Sequence, residues 1–149
     1  MAKVLHIFTA PDHGAPMVSH QQVIVHTDTG IEGDRYFPAA SRQGPDNQLT
    51  LIEIENIEAF NAAFGRQMQP DAPRRNVVTS GIRLNELCGQ QFRVGPLLLE
   101  GIELCEPCRL FKIRTYPEAL EFFMGKAGLR TRVLEGGALG IGDPIGRMV

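Results

Sequence analysis

Long apolar runs are missing from this 149-residue chain, and without roughly 20 such residues in a row no bilayer-spanning helix is expected. Positive charge in excess is missing too. A net charge of −2 excludes the sequence-independent grip on a nucleic acid backbone that needs a basic face. Cysteine is scarce. Three thiols leave one unpaired in any disulfide scheme, which suits a reducing compartment, and they fall short of the four thiolates that hold an iron–sulfur cluster. Low-complexity tracts and internal repeats are absent. The start, Met1-Ala2-Lys3-Val4-Leu5-His6-Ile7, carries one cation and a polar interruption. It therefore lacks the pattern of a secretory signal, and a cytoplasmic protein is expected.

Lysine is the scarcest charged residue: Lys3, Lys112 and Lys126 stand against twelve arginines. Guanidinium groups bind phosphate and carboxylate in a planar, bidentate way, so the bias permits a pocket for a small anion; a genomic preference for arginine codons explains it equally well. The remaining composition, 43% apolar and 21% charged, is that of an ordinary globular protein. One domain over 1–149 is the expectation at this length.

Sixteen glycines and ten prolines punctuate short runs of β-forming residues. Val4-Leu5-His6-Ile7-Phe8, Gln22 to Thr27, Gln48 to Ile52, Val77-Val78-Thr79, and the pair Gln91 to Val94 and Leu97 to Leu104 around Gly95-Pro96 all read as strands. Leu129 to Leu134 alternates apolar with basic residues, which puts Arg130 and Arg132 on one face of a strand. A last short strand is expected within Gly140 to Ile145. Two helices are predicted. One spans Glu53 to Phe64, with Ile54, Ile57, Phe60, Ala63 and Phe64 turned to the core and Gly65 ending it. The other follows the capping-box pattern Thr115-Tyr116-Pro117-Glu118 and runs to about Met124. A short helical turn is expected within 81–89, with Cys88 packed inside. The balance favours a mainly β fold with a few helices, closed into a barrel to remove exposed edges.

Chemistry concentrates in a few places. Cys105-Glu106-Pro107-Cys108 closes an apolar run and is followed by Arg109. A thiolate is a strong nucleophile and a soft metal ligand, and a nearby guanidinium favours the charged form; a free cysteine also serves as a small buried hydrophobe. Gly30-Ile31-Glu32-Gly33-Asp34-Arg35 offers backbone N–H groups and Arg35 to an anion, or else a tight turn fixed by an Asp–Arg pair. The polar run Phe37 to Asn47 after it has the length of a loop bordering a site. Arg74-Arg75-Asn76, at a loop-to-strand junction, can hold an anion and a heterocycle edge together, or can form a solvated charge pair beside a turn. His6, His13, His20 and His26 match no compact metal motif and read as strand and loop residues.

Taken together, Gly30 to Arg35, Gln48-Leu49-Thr50-Leu51-Ile52-Glu53, Arg75-Asn76-Val77-Val78 with Gly81, Glu106-Pro107-Cys108 with Leu110, and Arg132 to Gly137 with Gly142-Asp143 occur in an order that resembles the MOSC domain. This module is related to the C-terminal domain of molybdenum cofactor sulfurases, and the likeness spans about residues 20–145. It implies a MOSC-type, β-barrel-like single domain with a site for the pterin form of the molybdenum cofactor, molybdopterin. It also implies that Cys108 carries sulfur or ligates molybdenum and acts as the catalytic residue. Gly33, Asp34, Arg35, Arg75, Asn76, Arg130 and Arg132 would then engage the cofactor's phosphate and pterin edge. Tyr36 stands where many relatives carry His.

The chain has neither a desulfurase domain nor an iron–sulfur cysteine set, so no pyridoxal phosphate is expected in it. A redox partner or a cysteine desulfurase would act in trans on behalf of a small-molecule substrate, with neither nucleic acid nor membrane as a partner. Three functions compete. The first is a molybdenum-dependent reductase of a small N-oxygenated or similar substrate. The second is a sulfur carrier that accepts a persulfide on Cys108. The third is a structural zinc module built on Cys105 and Cys108. No feature of the pattern sets an oligomeric state.

Overall fold

The computed structural model describes residues 1–37 and 48–148. Eleven strands are found among them: β1 (Lys3–Thr9), β2 (Val18–His20), β3 (Gln22–His26), β4 (Gly30–Ile31), β5 (Leu49–Glu53), β6 (Val77–Ser80), β7 (Gln91–Val94), β8 (Leu97–Leu104), β9 (Leu129–Glu135), β10 (Gly137–Gly140) and β11 (Ile145–Arg147). Helices α1 (Ile54–Phe64), α2 (Arg109–Arg114) and α3 (Ala119–Phe122) and a 3-10 turn over Leu84–Leu87 complete the described elements. One sheet runs β11-β7-β8-β9-β5-β6-β1-β2, and a smaller one runs β10-β3-β4.

The fold is mainly β, as the short β-forming runs imply, but the sheets do not close into a barrel. The reason lies in β1. Its far half, Ile7–Thr9, pairs with β2. Its near half meets the segment before β11 through an isolated bridge, Lys3 to Pro144, with Val4 N donating to Asp143 O at 2.9 Å. One strand edge divided between two short neighbours cannot carry a continuous ladder.

Strands β5 and β6 pair in parallel, and α1 supplies the crossover that a parallel pair requires. The other pairings are antiparallel. Alternation in β1, β5 and β6 divides the core. Ile7, Leu51 and Val77 join a cluster with β7, β8, β9 and the small sheet, whereas Phe8, Ile52 and Val78 face the helices and pack with Ile57, Phe60, Phe111 and Phe123. Both faces of these central strands are covered, which is why apolar side chains occupy consecutive positions at Ile7-Phe8, Leu51-Ile52 and Val77-Val78.

Helix α1 ends as expected at Gly65, whose φ of 62° closes the αL cap. Its buried stripe is shorter than the sequence implies, because Ala63 and Phe64 are exposed. Of the helix predicted from Thr115 to about Met124 only the four residues of α3 are helical, and the unpredicted α2 precedes it. Thr115 donates its hydroxyl back to Phe111 O at 2.7 Å, so it caps the end of α2 instead of opening a new helix. Cys88 is exposed rather than packed inside. The final strand begins at Ile145, and β2, β4 and β10 are additional to the expected set. The loop expected over Phe37 to Asn47 lies, beyond Phe37, outside the described residues. No helix among the described residues is long and apolar enough to cross a membrane.

Candidate functional site

A cavity of about 340 Å³ opens where five distant segments converge. The loop after β1 contributes His13, and the turn after β4 contributes Arg35 and Tyr36. The loop before β6 brings Arg74 and Arg75, and the turn after β8 brings Glu106 and Cys108. Helix α2 adds Leu110, Phe111 and Arg114, and β9 adds Arg130. Among the described lining residues, five guanidinium groups therefore face a single carboxylate.

Three of the five arginines are held by backbone carbonyls, and Arg35 by a carboxylate as well. Asp34 is buried, and its Oδ1 accepts from Ala10 N at 3.1 Å and from Arg35 Nη1 at 3.0 Å, while Arg35 Nη2 donates to Arg74 O at 3.0 Å. The turn thus clamps Arg35 across the loop that carries Arg74, with the guanidinium 4.7 Å from the Tyr36 ring centre. Arg75 donates Nε to Ala127 O at 2.8 Å and Nη1 to Pro73 O at 3.0 Å. Arg74 takes φ 62°, uncommon for a residue with a Cβ, and donates Nη1 to Ala15 O at 2.7 Å. Its Nη2 is buried and has no hydrogen-bond partner among the described residues.

Charge in this cluster is under pressure. Burial first, then repulsion from Arg35 and Arg114, holds the Arg74 guanidinium below its ordinary range. Burial does the same to Arg75. An anion in the cavity would relieve both effects. The two thiols differ sharply: Cys105 is buried, which pushes its thiol up against the opposing influence of Arg75 and Arg130, while Cys108 is exposed and lines the cavity.

Of the residues singled out from the sequence, Arg35, Arg75, Arg130 and Cys108 share this cavity. Asp34 stands behind it as the clamp on Arg35, with its Oδ2 buried and lacking a hydrogen bond among the described residues. Gly33 is exposed, and its φ of 87° makes the turn that presents Asp34 and Arg35. Asn76 and Arg132 do not line the cavity. The amide of Asn76 joins three strands, accepting from Thr50 N at 3.1 Å and donating to Phe8 O at 3.1 Å. Arg132 pairs with Asp28 at 2.9 Å, two residues along β9 from Arg130.

Sequence reasoning passed over Arg114 and His13, since neither stands in a local pattern that separates it from a surface residue. Arg74 belongs to the Arg74-Arg75-Asn76 stretch that the sequence already offers as an anion site, and Tyr36 directly follows Asp34-Arg35. Among the described residues no group of three or more His, Cys, Asp or Glu could hold a metal ion, so the competing zinc reading of Cys105 and Cys108 gains no further ligands there.

Comparison with solved structures shows the same fold elsewhere. YuaD from Bacillus subtilis superposes with a TM-score of 0.79 at 18% identity, covering 97% of this chain and 94% of that one. YiiM from Geobacillus stearothermophilus gives 0.76 at 17% identity, covering 100% and 76%. YiiM from Escherichia coli gives 0.73 at 20%, covering 100% and 70%. A search of curated proteins found no match. The family model for the MOSC domain matches residues 38–146, a span that contains β5 through β10, the Arg74–Arg75 loop and Cys108. With that match over most of its length, and with the β-rich fold that its strands build, the chain belongs to the MOSC domain family.

Proposed function

We propose that this protein binds the pterin form of the molybdenum cofactor in the cavity, that Cys108 Sγ ligates the metal, and that a small N-oxygenated or similar substrate is reduced beside it. One observation carries the reading: an exposed thiol lies in the lining of a cavity whose described charges are five guanidinium groups and one carboxylate. A soft sulfur donor suits a metal already held by a dithiolene, and planar cations suit a phosphate and the polar edge of a pterin. The residues present fit such a group. Arg35, Arg74, Arg75, Arg114 and Arg130 would hold its anionic part, and Arg74 Nη2 has a donor to give.

When bound, the cofactor supplies a metal that takes an oxygen atom and passes electrons. The chain's part is positional. Asp34 keeps Arg35 aimed by the 3.0 Å bond, the carbonyls of Ala127 and Pro73 fix Arg75, and Tyr36 with His13 in edge contact at 5.2 Å forms an aromatic rim.

Protein made anaerobically in a host that produces the cofactor is expected to carry molybdenum at near one atom per chain, and Cys108→Ser is expected to lose it while keeping the fold. Metal analysis with pterin fluorescence reads both. A well-folded wild type without molybdenum under those conditions defeats the proposal. The exposure of Cys108 also favours a second reading, a sulfur carrier charged by a desulfurase. Incubation with a desulfurase and cysteine would then add one sulfur atom to the Cys108 peptide, and its absence beside reductase turnover removes this option.

A further inference from the structure

Helix α2 begins at Cys108 as its N-cap and reads Arg109-Leu110-Phe111-Lys112-Ile113-Arg114. Only Phe111 is turned inward, packed against Phe123 with ring centres 5.3 Å apart. Leu110 is 47% exposed and Ile113 69%. Residues three and four apart on a helix adjoin, so Leu110, Ile113 and Arg114 form one patch and Arg109 and Lys112 border it. Between Glu106 and Glu118 the chain carries no acidic residue. Among the described residues Arg109, Lys112 and Arg114 make no salt bridge. A chain of net charge −2 thus gathers three unpaired cations around two exposed aliphatic side chains, and Leu110 and Arg114 also line the cavity that holds Cys108.

We propose that the outward face of α2 is a docking surface for a small acidic electron-transfer protein, with the partner's carboxylates on Arg109 and Lys112 and its apolar centre on Leu110 and Ile113. The inference rests on the reductase reading above. Cleaving an N–O bond to an amine and water consumes two electrons and two protons. The three cysteines of these 149 residues are fewer than the four that a cluster needs, and in this proposal the electrons come from the docked carrier, each copy giving one and leaving oxidised by one, with the protons drawn from water. One short helix is a small contact. Redox encounters are the class of complex at the low end of interface size, steered by complementary charge and released quickly.

The test titrates the full-length chain, without regard to metal content, against a flavodoxin and a plant-type ferredoxin at about 20 mM and about 300 mM salt, the second of which screens surface charge. Binding is expected at the lower salt and loss at the higher. Lys112→Glu is expected to weaken it about fivefold or more, and Ile113→Ser to weaken it independently of salt; both positions lie outside the cavity lining and are exposed, so neither threatens the fold. The proposal is overturned if neither carrier binds, if both substitutions leave binding unchanged, or if phosphatidylserine vesicles take up the chain while the carriers do not, which would make the face a membrane contact. The two readings fail separately. A chain that binds carriers through α2 but takes up no molybdenum sinks the cofactor reading alone, and a loaded chain reduced by dithionite but indifferent to both carriers sinks the docking face alone.

Discussion

Arg74 and Asn76 sit two residues apart and do opposite work. Asn76 is 1% exposed, and both ends of its amide are bonded to strands on either side of β6. Truncation leaves Thr50 N and Phe8 O without partners in a dry setting, and each such group costs about 1–3 kcal/mol. Asn76→Ala is therefore expected to lose about 2–4 kcal/mol in denaturant unfolding. Arg74 holds a left-handed φ of 62° that costs a side-chain-bearing residue about 1–2 kcal/mol. Arg74→Gly removes that strain along with the guanidinium. It is expected to keep its thermal midpoint within a few degrees of wild type while retaining less cofactor, measured by calorimetry and by pterin fluorescence. The pairing of two arginines with an amide was visible in the sequence. Their division was not, because side-chain polarity alone does not distinguish a lining group from a strut between strands.

At the scale of elements, the end of β5 is tied to the 3-10 turn by one buried carboxylate. Glu53 Oε2 accepts from Leu84 N at 3.1 Å. Burial pushes its carboxyl above the ordinary 4.5, against the pull of the Leu84 amide and Arg83, with Glu55 and Glu86 adding repulsion. Between 4.5 and the raised value the folded chain keeps a proton that the unfolded chain has released, so this residue's contribution to stability is greatest in acid and declines as pH rises through that window. The stability of wild type minus that of Glu53→Gln is expected to fall as pH increases from 4.5 and then level off. A difference that is flat or rising with pH contradicts this. Elements with a strong local pattern were legible: β7 and β8 around Gly95-Pro96, α1 with Gly65 beyond it, and β9 with its alternating arginines. The capping-box pattern at Thr115 misled because its hydroxyl had a nearer acceptor, Phe111 O, in a helix that has only six residues. Strands β2, β4 and β10 have at most four residues and exist through their partners rather than through propensity.

Across the whole molecule, the two apolar clusters share β1, β5 and β6, so neither has a boundary at which it could melt alone. One cooperative transition is expected on heating, with the same midpoint by near-ultraviolet and far-ultraviolet circular dichroism; two separated transitions would show that 1–149 is not one domain. The pairing of β9 with β5 depends on a backbone contact without side-chain room. Gly128 has φ 116°, and a Cβ there would overlap the Leu51 carbonyl oxygen where β9 begins beside β5.

Local pattern determined what could be read one segment at a time: β-rich character, the strands and first helix with strong periodicity, the family likeness, and a cysteine beside basic residues. Hydrophobic alternation and turn chemistry act over a few residues, and a linear sequence records them directly. Which arginines meet Cys108, why Asn76 and Arg132 lie elsewhere, and why the sheet stays open were decided in three dimensions. Those outcomes depend on which strand edges and buried polar groups find partners tens of residues away.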